Sequence, residues 1–219
     1  MELIASATER TTAATDLVLA VAACTAAIVL GRAGPPSVAR RVWRVALFCA
    51  GAGAAVGALA HGLALTDATR ELLWQPLYLL LGATVALFVV GAVASWWGGP
   101  VARRILVPML GVAVLFYLAT RMSGGEFVVF VVFQAAALIF ALTIYLRLRA
   151  RGLEGAGLVA AGLAVTLAAG VVQAAESVSI KLVWEFDHNG VYHLVQLAGL
   201  FLLVRGLLRV LRPAPVSGL

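Results

Sequence analysis

Seven long runs of apolar residues, separated by short polar or glycine- and proline-containing breaks, take up nearly the whole chain. A helix needs about 20 predominantly apolar residues to cross the hydrocarbon layer of a bilayer, and the runs predict such helices at roughly 12–31, 43–65, 72–95, 105–121, 126–147, 155–177 and 190–211. The breaks carry residues that interrupt helices: Gly34-Pro35-Pro36, Gly98-Gly99-Pro100, Ser123-Gly124-Gly125 and Asn189-Gly190. The expected architecture is all-α, one seven-helix transmembrane domain over residues 1–219. No stretch is left for a soluble domain, and no internal repeat stands out.

Composition agrees. With 63% hydrophobic and 12% charged residues and a mean hydropathy of +1.04, a soluble domain of this size has no way to hide its apolar surface. Membrane lipid is therefore the expected partner, in the cell (cytoplasmic) membrane as a multi-pass protein. The net charge of +6 does not indicate nucleic acid, because the basic residues lie between apolar runs rather than on one soluble face. Arg32, Arg40, Arg41, Arg44, Arg103, Arg104, Arg147, Arg149, Arg151, Arg205, Arg209 and Arg212 share one side when alternate connections are compared; Arg10, Arg70, Arg121 and Lys181 share the other. Cytoplasmic loops are enriched in Lys and Arg, so the amino terminus is expected outside and the carboxyl terminus inside. Residues 1–11 carry Glu2 and Glu9 with no basic cluster, unlike the start of a cleaved signal peptide, and the first helix is expected to stay. Cys24 and Cys49 fall inside apolar runs and read as small buried side chains rather than a disulfide.

Strongly polar side chains inside a membrane are costly and mark functional sites. The chain has three histidines, and all map to the outer end: His61 near the end of the second helix, His188 and His193 at the start of the seventh. On one regular helix, five residues would turn His188 and His193 about 140° apart, so a shared metal requires His188 in a loop or cap conformation around Asn189-Gly190. Three imidazoles and a water are a known zinc set. Asp187, adjoining His188, and Glu176, closing a polar stripe of Thr166, Gly170 and Gln173 on the sixth helix, are the candidate proton-handling groups. Trp74, Gln75 and Tyr78 on the third helix, Glu126 opening the fifth and Gln196 extend a polar pocket. Taken singly these residues have ordinary roles: His61 as a packing histidine, Asp187 and Asn189 as helix caps, Trp74 and Trp184 in an interfacial aromatic belt.

Seven helices, one histidine late in the second and a histidine pair at the seventh resemble the superfamily that includes alkaline ceramidases and the progestin and adipoQ receptors. The resemblance implies a zinc-dependent membrane hydrolase of lipid amides or a relative of one, with His61, His188 and His193 as zinc ligands. That superfamily commonly carries His-x-x-x-His in its last helix and Ser four residues before the second-helix histidine. Here four residues separate His188 from His193, and the position four residues before His61 is Gly57.

Two functions follow as expectations: a zinc-dependent hydrolase acting on the amide or ester of a lipid at the outer side of the membrane, or a non-catalytic receptor binding a small molecule or lipid in the same pocket with a structural metal. A transporter ranks lower, since Gln134 is among few mid-membrane polar residues. Retinal attachment needs a lysine, and Lys181 lies in a connection. Haem ligation by His61 with His193 remains open on chemistry alone.

Overall fold

The computed structural model describes residues 2–124, 127–175 and 177–212. Seven α-helices follow in chain order: α1 (Ala7–Arg32), α2 (Val38–Gly62), α3 (Asp67–Trp97), α4 (Gly99–Met122), α5 (Phe127–Ala150), α6 (Ala156–Ala174) and α7 (His188–Val210), with a short antiparallel hairpin, β1 (Ile180–Lys181) and β2 (Glu185–Phe186), before α7. All seven are long and apolar enough to cross a membrane. Helices α1 to α4 begin five or six residues earlier than the apolar runs predict. Each start has a local cause: the side chains of Ser6, Ser37 and Thr66 accept the backbone N–H groups of Glu9, Arg40 and Thr69, and α4 has a proline in its first turn. The fifth helix opens at Phe127, and Glu126, expected to open it, lies outside the described residues.

Among the described residues, α1, α2, α3, α5, α6 and α7 pack in that order around a ring that closes from α7 back to α1, while α4 lies outside it against α3. Little of α4 is buried beyond Ala102, Ala113, Phe116 and Thr120, and it exposes Val107, Leu115, Leu118 and Met122. In water such a face would be an aggregation liability; against acyl chains it costs nothing. The ring interior is filled at the end where α1 finishes by a cluster around Trp43, Leu47, Phe88, Leu138 and Leu203. Toward the other end it opens into a cavity.

Arg40 closes the filled end. It is 4% exposed, and its guanidinium donates to the carbonyls of Leu30 at 3.1 Å and of Leu211, tying together the carboxyl ends of α1 and α7, where unpaired carbonyls gather. Arg40→Ala is expected to lower stability by about 2–3 kcal/mol, since two charge-assisted bonds are lost and their acceptors left unpaired. An unfolding titration in mixed micelles that leaves the midpoint unmoved would refute this role.

Candidate functional site

The cavity has a volume of about 880 Å³, within the size range of sites for small ligands. Its wall is polar where α1 and α7 begin, with His61, His188 and His193, and apolar toward Leu47, Leu200 and Leu203.

His193 sits one and a half turns into α7, 7% exposed. Its Nε2 lies 3.2 Å from Asp16 Oδ1 and its Nδ1 lies 3.0 Å from Thr15 Oγ1. Both partners belong to α1, which packs between α2 and α7. Asp16 is itself 5% exposed, a buried carboxylate that needs a partner. Thr15 has one hydroxyl proton and three acceptors in reach: the carbonyls of Thr11 and Thr12, at 3.1 and 2.9 Å, and Nδ1. If that proton goes to Nδ1, Nε2–H donates to Asp16. If it goes to a carbonyl, Nδ1–H donates to Thr15, and a proton or a metal cation is then required between Nε2 and the carboxylate.

On α2 the same chemistry recurs. His61 Nδ1 is 2.7 Å from Glu9 Oε2, and since a carboxylate accepts, Nδ1–H donates; in the neutral ring this leaves the Nε2 lone pair free for a ligand. A carboxylate behind one ring nitrogen is the arrangement that orients a metal-binding histidine. Trp74 holds the other side of the ring edge-on, with centroids 5.6 Å apart, and stacks on Tyr78. One turn earlier on α2, Gly57 leaves the space that Asp16 fills: a Cβ there would lie 2.7 Å from Asp16 Oδ2.

The sequence-expected residues fare differently. His61 and His193 come to the cavity wall, each with an oxygen of α1 behind it. His188 also reaches the wall, but as the first residue of α7 rather than in a cap, so its direction diverges from that of His193 by about 140°. The cap belongs to Asp187, whose Oδ1 accepts from Gly190 N–H and Thr12 Oγ1, both at 2.9 Å; an aspartate just before a helix is well suited to this. Glu176 lies outside the described residues. Gln173 reaches across to Asn189, its Nε2 donating to Oδ1 at 3.3 Å. Cys24 and Cys49 are free thiols. Among the described residues no three His, Cys, Asp or Glu side chains stand close enough together to hold a metal ion; the candidates stand as two separate pairs, His193 with Asp16 and His61 with Glu9. The donor types are ones zinc accepts, but among the described residues the three that a zinc site needs are not assembled.

Asp16, Glu9 and Thr15 were not singled out by the sequence. The available signal was a carboxylate within an apolar run, hidden because the predicted start at residue 12 puts Asp16 in the first turns, whereas α1 begins at Ala7.

A model of a family of unknown function, DUF6962, matches residues 11–212. The chain belongs to this family. The matched stretch contains all seven helices in whole or in large part, with Asp16, His61, His188 and His193 all inside it. No curated protein and no solved structure matches the chain.

Proposed function

We propose that the protein is a membrane-embedded hydrolase that cleaves an amide or ester bond of a lipid-like amphiphile, with zinc at the polar end of the cavity, in the manner of the superfamily of alkaline ceramidases and progestin and adipoQ receptors. The observation that carries this reading is the cavity's polarity: a carboxylate and imidazoles of three helices at one end, apolar side chains at the other, inside a bundle that lipid surrounds. His61 and His193 would hold the metal through Nε2. Asp16 would be the third donor in place of His188, because it stands 3.2 Å from His193 and packs beside Gly57, where the superfamily commonly has a serine. When bound, zinc lowers the pKa of a water to about 7 and polarises a carbonyl. Glu9 and Thr15 would fix the ring orientations, and the apolar wall toward Leu200 and Leu203 would hold the amphiphile's chain. The polar end faces the outside of the cell membrane and the carboxyl terminus the cytoplasm, a reading supported by the twelve arginines on the opposite side.

The binding-only alternative draws support from His193, both of whose ring nitrogens have protein partners. Metal analysis of the purified protein, followed by chromatography of lipid extracts incubated with it, separates the two. One zinc per chain is expected in the wild type and in His188→Ala, and none in His193→Ala, with product formation following the metal. Zinc-free wild type would end the metalloenzyme reading, and stoichiometric zinc without any product would favour the receptor.

A further inference from the structure

Two helices give the cavity the same depth below the Asp16 level. On α7 the wall runs from His193 to Leu203, and on α2 from Gly57, against which Asp16 packs, to Leu47. Each is a stretch of ten residues, about 15 Å at 1.5 Å per residue. The bottom is solid. Leu47 is fully buried, and Trp43, one turn below it, is also fully buried and packs on Phe88 with ring centroids 4.9 Å apart. The wall above the floor is lined by the small side chains of Ala23, Ala50 and Ala54 and by Gly53, which leave the space free for a ligand.

We infer that this cavity takes a single alkyl chain and measures its length, so that the ligand is a one-chain amphiphile of medium length rather than a two-chain membrane lipid. This rests on the amphiphile reading above and narrows it. A carbon-carbon bond of about 1.5 Å advances an extended chain by roughly 1.25 Å, so 15 Å accommodates about 12 carbons between the polar group and Leu47. At roughly 30 Å³ per non-hydrogen group, 880 Å³ corresponds to about 29 groups, more than enough for one such chain and its head group and fewer than a lipid with two full-length chains contains. The head group would carry hydrogen-bond donors, since the buried side-chain oxygens of Gln173 and Gln196 on the same wall have no partner.

The test is equilibrium binding of saturated N-alkanoyl ethanolamides, from about 6 to about 20 carbons, to the full chain in nanodiscs, where each buried methylene should tighten binding about four-fold. The rise is expected to stop near about 12 carbons. Ala50→Leu lifts the floor by about one turn and should move the break about 3–4 carbons shorter. Leu203→Ala lowers it and should move the break longer, which keeps the test available if the first variant does not fold. Affinity that climbs through the longest chains, a break that ignores both substitutions, or equal competition by a two-chain phosphatidylcholine would overturn the inference. Because cleavage is not measured, a length break without any product anywhere defeats only the hydrolase reading; failure of every chain to bind defeats both.

Discussion

Gly162→Leu is expected to lower the stability of the bundle by about 3 kcal/mol or more. The reason lies in the contact between α6 and α7. A Cβ at Gly162 would lie 2.6 Å from the backbone nitrogen of Leu203 and 2.7 Å from the carbonyl of Gly199; a Cβ at Gly206 would lie 2.5 Å from the nitrogen of Val159. These neighbours are backbone, so no side chain can swing aside and the helices must separate. Lipid tails are as apolar as leucine, and close approach of small residues is what holds membrane helices together. Gly111 on α4 is the control: a Cβ there meets nothing within 4 Å, and Gly111→Ala should be neutral or stabilising by about 0.5–1 kcal/mol through helix propensity. An unfolding titration in which Gly162→Leu and Gly111→Ala share a midpoint would remove the proposed α6 and α7 contact.

Asp16→Asn should separate function from folding by moving the two in different directions. The amide keeps the shape of the side chain and an oxygen that accepts from His193 Nε2–H, so stability should hold within about 1 kcal/mol. The lost charge removes the anionic donor of the proposed zinc site, and product formation should fall by about a thousandfold, in line with the loss of several kcal/mol of charge stabilisation. Zinc stoichiometry read beside the unfolding midpoint decides the matter. A variant that keeps full metal and full turnover would show Asp16 to be a packing group, and one that fails to fold would show the His193 and Asp16 pair to be structural.

The histidines were legible because they are scarce and strongly polar within apolar runs, and His61 and His193 do reach one cavity from helices that the sequence locates. Their partners were not. Glu9 and Asp16 looked like residues near the head of a helix, because apolar windows do not see the Ser6 cap that starts α1 five residues early. Asp187 looked like a proton carrier through its neighbour His188, yet the backbone geometry of a helix start commits it to Gly190 and Thr12. His188 itself was expected to fold over the helix from a cap, and the same cap by Asp187 places it on the helix instead.

From the sequence alone come the seven apolar spans, because a run of about 20 residues with so few charges has few other solutions. The tertiary structure decided which faces of those spans meet. In lipid every face of a helix is apolar, so hydropathy does not distinguish α4, outside the ring, from the six helices that enclose the cavity. Nor does it reveal that Asp16 meets His193, 177 residues away, through the space left by Gly57. That meeting depends on backbones close enough for one absent Cβ to matter, a property of packing distance rather than of any local run of residues.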